Sequence, residues 1–358
     1  MAPMIYTLYG FAIFFFVFWC GKWLVHLLAI FYGKWKLHKK VSQQVCETPY
    51  PGVSILKPLM GVDPNLFSNL ETFFTMSYPV YELLFCVEDK SDPAVMVVMQ
   101  LIEKYPSVSS RLFTGGSNVG VNPKINNMQP GFLAAKYDII LISDSGIRMK
   151  EDTLLDMVSC MTDDVGLVHQ MPFTCDRDGF AATLEKVYFG TVQARIYLVA
   201  DFLRVNCHTG MSALMRKSLI DEVGGIQAFS CYLAEDFFLA KSLTERGWRM
   251  CISSQPAWQN SACTSWSVSF LFDWDPLVFY LVHILVWFLL DWILLSIIQN
   301  GSLPFNKFDF VIGWLFRECS SPYLFLHALW DPAIRWRART YRLKWGGIAE
   351  ELKPKVKV

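Results

Sequence analysis

Three long apolar segments constrain this 358-residue chain more than any other feature. Residues 4–33 and 277–298 are almost continuously apolar and long enough to cross a bilayer as helices. A third segment, residues 308–330, is weaker because Arg317, Glu318 and a Ser-Ser-Pro sequence interrupt it, which is typical of a kinked span or a re-entrant segment. A composition of 53% hydrophobic and 18% charged residues agrees with a membrane-anchored protein.

Basic residues predict the orientation of these segments. Four lysines directly follow the first apolar segment, and eight Lys or Arg residues follow the third. Because cytosolic flanks of membrane spans are enriched in Lys and Arg, the large middle region and the C-terminus are expected in the cytosol.

The middle region, residues 49–262, consists of alternating strand and helix patterns. Short apolar runs such as residues 138–143 predict buried strands, and helical repeats such as residues 63–74 lie between them. This alternation predicts an α/β domain, a mostly parallel sheet with helices on both faces. It separates an N-terminal anchor with its basic juxtamembrane segment, residues 1–48, from a C-terminal membrane hairpin and basic tail, residues 263–358.

Charge and cysteine usage exclude two classes of protein. The net charge is zero and no basic stripe occurs, so nucleic acid is not an expected partner. The ten cysteines show no paired spacing, which favours reduced cytosolic thiols over a disulfide framework.

Acidic residues follow two predicted strands. Glu88-Asp89 and Asp92 come after one strand, where carboxylates can accept hydrogen bonds from a uracil N–H or from ribose hydroxyls; a helix cap explains them equally simply. Asp144 ends the buried strand 138–143 and can hold Mg²⁺ or Mn²⁺ against a diphosphate, although Asp-Ser-Gly is also an ordinary turn.

A third acidic pair, Glu235-Asp236, lies between apolar residues at a predicted helix start. Two adjacent carboxylates are unfavourable to bury without a role, and one of them can take the proton from an acceptor hydroxyl. The alternative is a helix N-terminus whose dipole favours negative charge. The sequence favours a catalytic role for this pair.

Several longer stretches together resemble the ceramide glucosyltransferase family, namely "SILKPLMGVDPNL", "NPKINN", "SDSGIRM", "GFAATLEKVYFGT", "TGMSALMRK", "AEDFFLAKSLTERGWR" and "ALWDPAIRWRARTYRL". The resemblance implies a GT-A-type nucleotide-sugar domain plus transmembrane helices, in the Golgi membrane with the catalytic domain facing the cytosol. It also implies transfer of glucose from UDP-glucose to the primary hydroxyl of ceramide, with inversion at the anomeric carbon.

The resemblance implies roles residue by residue. Asp236 matches the family's candidate general base, and Glu235 stands beside it as a second catalytic candidate. Asp92, with Asp89 near it, matches the aspartate that serves UDP binding. Asp144 matches the aspartate that meets a divalent cation, Mg²⁺ or Mn²⁺, and the diphosphate.

Two further stretches complete the implied site. Lys124 stands where related transferases contact the nucleotide, and Cys207, His208, Thr209 and Gly210 stand near the expected entry of the acceptor. The implied partners are ceramide, UDP-glucose and the bilayer, and a homo-oligomer is one further possibility.

One element of the family is missing from the sequence. A Gln/Arg-x-x-Arg-Trp motif normally follows the stretch Gln259-Asn260-Ser261, but here no Lys or Arg occurs between Arg249 and Lys307. Because cationic stabilisation of a leaving diphosphate is a major catalytic term, we expect a weakly active or inactive chain. Two alternatives stay open: a membrane transferase with another lipid or polysaccharide acceptor, and a non-catalytic partner of an intact transferase or lipid.

Overall fold

A computed structural model describes residues 2–39, 50–171, 173, 180–208, 210–253, 276–303, 305–330, 333–336, 339–344 and 346–352. The chain divides into two compact units, each made of three segments. The first unit comprises Met1–Lys39, Met171–Val205 and Ser254–His327, and the second comprises Lys40–Gln170, Asn206–Ser253 and Ala328–Val358.

The second unit is built on a seven-stranded sheet. Its strands are β1 (Val53–Leu59), β2 (Tyr81–Val87), β3 (Ser110–Thr114), β4 (Ile139–Ser143), β5 (Val165–His169), β6 (Ser212–Arg216) and β7 (Arg249–Ile252). They lie in the order β3-β2-β1-β4-β6-β5-β7. The pairs among β1 to β4 and the pair β5–β7 are parallel, whereas β6 is antiparallel to both β4 and β5. The predicted mostly parallel α/β fold is confirmed.

Helices cover both faces of this sheet because alternate strand residues point to opposite sides. On one face, Val53 and Ile55 of β1 share an apolar core with α2 (Leu66–Phe74), α3 (Ala94–Lys104) and α5 (Thr153–Ser159). On the other face, Leu56 of β1 shares a second apolar core with the other helices of this unit. Those helices are α4 (Pro123–Ala134), α8 (Lys217–Glu222), a 3₁₀ turn (Ile226–Phe229) and α9 (Glu235–Thr244).

A small antiparallel sheet also belongs to the second unit. Its strands β8 (Ala333–Trp336), β9 (Arg339–Leu343) and β10 (Ala349–Leu352) lie in the order β10-β9-β8. The backbone N–H of Ala349 donates to the carbonyl of Cys231 at 3.1 Å, which joins this sheet to the loop before α9.

The first unit is helical. It contains α1 (Ala2–Lys36), α6 (Phe180–Val187), a π-helix (Tyr188–Gln193), α7 (Ala194–Leu203), α10 (Pro276–Gln299) and most of α11 (Lys307–Trp330). Two stretches, Tyr6–Lys36 and Leu281–Gln299, are long and apolar enough to cross a membrane. The third apolar segment forms one continuous helix, because Arg317 and Glu318 lie within α11 without interrupting it.

A buried charged cluster joins four helices of the first unit. Asp291 of α10 is fully buried and lies 3.1 Å from His26 Nε2 of α1 and 3.1 Å from the Arg317 guanidinium of α11. Trp314 Nε1 donates to the same carboxylate at 2.8 Å, and Arg195 of α7 lies 3.0 Å from His26 Nδ1. These contacts offset the free-energy cost of burying the Asp291 carboxylate within an apolar helix.

Candidate active site

The edge of the large sheet at which β1, β2 and β4 end carries the predicted polar residues. The parallel strands bring the residues after β2 and β4 to this edge, and ligands of such sheets bind there. Because β6 is antiparallel, its first residue, Ser212, pairs with the last residue of β4, Ser143. The loop before β6, which includes Gly210, therefore reaches the same edge.

Lys124 is the centre of the site. Its ammonium lies 2.9 Å from Asp144 Oδ1 and 3.2 Å from Glu235 Oε1, and it donates to the Gly210 carbonyl at 3.1 Å. These three partners come from the loop after β4, the start of α9 and the loop before β6. The structure thus brings Lys124 together with three other stretches that the sequence singled out separately.

Asn122 fixes the lysine and the glutamate at the same time. Its side-chain oxygen accepts from the backbone N–H of Lys124 at 2.8 Å, which caps the start of α4. Its side-chain NH₂ donates to Glu235 Oε2 at 2.9 Å. One fully buried side chain therefore sets the distance between the cation and the carboxylate.

The pKa values of the cluster depend on one cation, Lys124, that lies among several carboxylates. Burial opposes the charge of Lys124, but Glu235, Asp144 and Asp236 more than offset it, so that the pKa of Lys124 is raised. Burial raises the pKa of the Glu235 carboxyl, with the neighbouring Asp236 acting in the same direction and Lys124 and Asn122 opposing it. Lys124 is therefore a permanent cation in this site.

Asp236 is held by backbone groups. Its Oδ2 accepts a short hydrogen bond from the N–H of Gly210, and its Oδ1 accepts from the N–H of Phe237 at 2.8 Å. A Cβ atom at position 210 would lie 2.7 Å from the Cβ of Asp236, so only glycine permits this approach. The carboxylate is half-buried and lines a pocket.

This pocket is apolar beyond its polar rim. Lys124, His208, Gly210, Glu235 and Asp236 form the polar part. The remaining lining is Ile125, Met128, Ile142, Ala213, Met215, Ile226, Phe229 and Leu239.

Asp144 offers one carboxylate for a cation. Its side chain is 37% exposed. Within the described residues no group of three or more His, Cys, Asp or Glu side chains could hold a metal ion. Mg²⁺ is commonly held by one or two carboxylates together with substrate phosphates, so this donor set fits a cation that arrives with a diphosphate.

Asp89 and Asp92 are engaged by nearby backbone groups. Asp92 accepts from the N–H of Gly61 at 2.7 Å and from the N–H of Ala94 at 2.8 Å. Asp89 accepts from the N–H and the hydroxyl of Ser91, both at 2.8 Å, and these hydrogen bonds lower its pKa. None of these hydrogen bonds involves Lys124, Asp144 or Glu235.

Of the predicted acceptor residues in the loop before β6, His208 is buried, whereas Cys207 and Gly210 are half-buried. His208 is 5% exposed, and its ring packs edge-on against His169 with the ring centroids 5.1 Å apart. Burial, with Lys124 nearby, lowers the pKa of His208 to about 3, and burial raises the pKa of the Cys207 thiol. Thr209 lies outside the described residues, as does the stretch 254–275, in which the family's basic motif was expected.

Three residues in or next to the site were not predicted from the sequence: Asn122, His169 and Lys57, whose ammonium donates to the Asp144 carbonyl. Asn122 precedes Pro123, and Asn-Pro at a helix start was the available signal for a capping residue. Lys57 lies within the apolar β1, where a charged residue is conspicuous. His169 ends an apolar strand and shows no signal beyond its position.

Comparison with known proteins identifies relatives of this chain. The model of "Glycosyl transferase family 21" matches in two pieces, residues 21–271 and 262–349. "Ceramide glucosyltransferase 3" of Caenorhabditis elegans is 41% identical over 373 residues, covering 93% of this chain and 81% of that protein. "Ceramide glucosyltransferase 1" of the same organism is 41% identical over 377 residues, covering 94% and 80%.

A solved structure is also similar. The mannosyltransferase PcManGT from Pyrobaculum calidifontis, in complex with GDP-Man and Mn²⁺, is 16% identical and has a TM-score of 0.46. The alignment covers 90% of this chain and 95% of that chain.

Proposed function

Because the chain belongs to glycosyl transferase family 21, we propose that it transfers glucose from UDP-glucose to the primary hydroxyl of ceramide, inverting the anomeric carbon. The observation that carries the proposal is the convergence of Asp144, Glu235 and Gly210 on the Lys124 ammonium, within 3.2 Å, at the carboxyl edge of the sheet. The choice of glucose and ceramide as substrates follows from the two Caenorhabditis elegans relatives, which are named ceramide glucosyltransferases.

Asp236 is the proposed general base. In a single displacement the acceptor oxygen forms a bond to the anomeric carbon, its proton passes to the base, and UDP leaves from the opposite side. Asp236 is half-buried at the pocket and oriented by the N–H groups of Gly210 and Phe237. Glu235 is buried and already bonded to Lys124 and Asn122, so it is better suited to hold the lysine than to accept a proton.

Lys124 and Asp144 are the proposed diphosphate-binding residues. A permanent cation held on three sides needs no reorganisation when negative charge develops on the leaving UDP. A divalent cation, Mg²⁺ or Mn²⁺, would be held by Asp144 and would neutralise charge on the diphosphate. Asp92 and Asp89 would shape the nucleoside pocket, since Asp92 ties the Gly61 loop to the start of α3.

The loop Cys207–Gly210 is the proposed acceptor side. Buried His208 has no hydrogen-bond partner for Nδ1 among the described residues, and it lines the pocket next to Asp236. A neutral imidazole offers one donor and one acceptor, which suits a polar lipid headgroup. Ceramide carries such groups beside its primary hydroxyl.

The membrane arrangement is part of the proposal. The two candidate spans, the four lysines after the first and the basic C-terminal region support a multi-pass membrane protein whose domain, residues 49–262, faces the cytosol. Residues 1–48 and the hairpin within residues 263–358 would then anchor it, with the basic tail in the cytosol. The Golgi is the location that the family resemblance implies.

We further propose that the chain lacks the family's basic segment near residues 262–271 and turns over slowly for that reason. The family match breaks into two pieces there, and the alignment with the first relative runs over 373 positions but covers only 93% of the 358 residues here, about 333, which leaves about 40 positions without a residue of this chain. The aligned region of the relative is therefore longer than its counterpart here. Inserting a Gln-x-x-Arg-Trp segment should raise turnover by roughly a hundredfold, the size expected for one preorganised transition-state donor.

An acceptor panel tests the proposed reaction. Membranes containing the chain are incubated with radiolabelled UDP-glucose and, separately, with ceramide, diacylglycerol or a sterol. Label in a ceramide product alone, as the β-glucoside, is the expected result. Label in another lipid would replace ceramide as the acceptor, and no label even with the segment inserted would favour a non-catalytic partner.

A further inference from the structure

Lys57 occupies a position that the strand pattern reserves for an apolar side chain. Alternate residues of β1, namely Val53, Ile55 and Leu59, belong to the apolar core on one face of the sheet. Lys57 is in the same alternation and is completely buried. Its neighbour across the sheet on β2 is Phe85.

The ammonium of Lys57 contacts the end of β4. It donates to the backbone carbonyl of Asp144 at 2.7 Å and to the Ser143 hydroxyl at 3.3 Å. It also lies 3.8 Å from the ring centroid of Phe73. Within the described part of the chain, no carboxylate forms an ion pair with it at 4.0 Å or less.

Such a lysine is unfavourable for the fold. A buried ammonium without a carboxylate partner loses its hydration and regains it only in part through neutral oxygens and an aromatic ring. Methionine has a similar length and would fill the same space without a charge, so packing alone does not explain the lysine.

The carbonyl that Lys57 binds belongs to the residue proposed to face the donor. The N–H of Asp144 donates to Met211 at 2.9 Å, and its carbonyl also accepts from Ile147 at 3.1 Å. At 2.7 Å, the Lys57 contact is the shortest of these hydrogen bonds that fix the backbone of Asp144.

We propose that Lys57 is a positioning residue of the donor site, holding the Asp144 backbone so that its carboxylate faces a cation-bound nucleoside diphosphate. The inference rests on the proposed function. Its distinguishing consequence is that Lys57 supports donor binding while opposing stability.

The test measures stability and binding separately in Lys57→Met, using the purified full-length chain in detergent. We expect an unchanged or higher melting temperature. The Kd for UDP in the presence of Mn²⁺ should rise about tenfold or more, as for other groups that orient a metal ligand, while the Kd for UDP without metal stays within about twofold. Ile55→Val, on the same strand and face, is the matched control and should lower the melting temperature slightly with both Kd values unchanged.

Two results overturn the inference alone. One is a Lys57→Met variant that binds UDP and Mn²⁺ as tightly as the wild type. The other is a lowered melting temperature with equal losses of UDP affinity with and without Mn²⁺, which would mark Lys57 as a packing residue. A wild-type chain that binds no UDP under either condition overturns the proposed function and this inference together.

Discussion

Two groups of carboxylates at one edge of the sheet differ in what holds them. Asp89 and Asp92 accept hydrogen bonds mainly from backbone groups of nearby turns. Asp144 and Glu235 instead share Lys124, which comes from another element. Carboxylates that bond to neighbouring turns shape a loop, whereas carboxylates from separate elements around one cation can act on a ligand. We therefore expect substitutions in the second group to affect catalysis directly, and those in the first to act mainly through the stability and shape of the proposed nucleoside pocket.

The largest expected effect is that of Asp236→Asn. The amide keeps the size of the side chain but cannot take a proton, so glucose transfer should fall by roughly 10²- to 10⁴-fold. UDP affinity should stay within about twofold, because Asp236 has no proposed donor contact. Initial rates and UDP binding are measured on the same preparation.

The matched control for this variant is Asp221→Asn, which changes an exposed aspartate paired with Lys217 on a different helix. It should leave both quantities unchanged. Transfer by Asp236→Asn at more than a tenth of the wild-type rate would exclude Asp236 as the base.

Lys124→Met should have the next largest effect. It leaves the buried Glu235 carboxylate without its cation, which costs about 3 kcal/mol of unfolding free energy. The double variant Lys124→Met/Glu235→Gln should recover most of this stability, because it no longer buries an unpaired carboxylate. It should not recover UDP binding, because the Lys124 cation is still absent. Denaturant unfolding and UDP titration separate the two effects. Recovery of UDP binding in the double variant would contradict the donor role of Lys124.

His208 gives a pH-dependent effect of intermediate size. Its pKa is lowered to about 3 by burial, so the folded chain keeps the imidazole neutral while the unfolded chain binds a proton below about pH 6.5. Folding stability should therefore fall as the pH drops below 6.5, by up to about 1.4 kcal/mol per pH unit from this group. His208→Gln should melt with a weaker pH dependence between pH 7 and pH 5. Equal pH dependence in both proteins would show that His208 is not held neutral.

The smallest expected effect is that of Asp92→Ala. It removes two hydrogen bonds from backbone N–H groups of Gly61 and Ala94, for a loss of about 1 to 2 kcal/mol. Asp89→Ala is the control, since the Ser91 contacts are exposed and should contribute less. Thermal unfolding compares them. A large loss of glucose transfer by Asp92→Ala at unchanged stability would place Asp92 with Asp144 and Glu235, the carboxylates expected to act in catalysis.

The fold was largely predictable because its signals are local. Apolar runs and helical repeats give the order of strands and helices, and the start of α9 at Glu235 agrees with the predicted helix start. The antiparallel β6 was not predicted, since strand direction depends on pairing rather than on residue pattern.

The site was predictable only as separate pieces. The sequence singled out Asp144, Lys124 and Glu235 one by one, but their contact joins residues that are far apart in the chain. Asn122 bonds to Glu235 across 113 positions, and Lys124 bonds to Gly210 across 86. No spacing rule reports such contacts. Lys57 was missed although it stands out in the apolar β1, because a lysine within a strand ordinarily faces solvent.

The most direct test of the account is the mass-spectrometric measurement of glucosylceramide in cells that lack their own ceramide glucosyltransferase. Cells expressing this chain should accumulate more glucosylceramide than cells with an empty vector, and insertion of the Gln-x-x-Arg-Trp segment should increase the amount further. Absence of glucosylceramide with both forms, at normal protein levels, would contradict the proposed reaction.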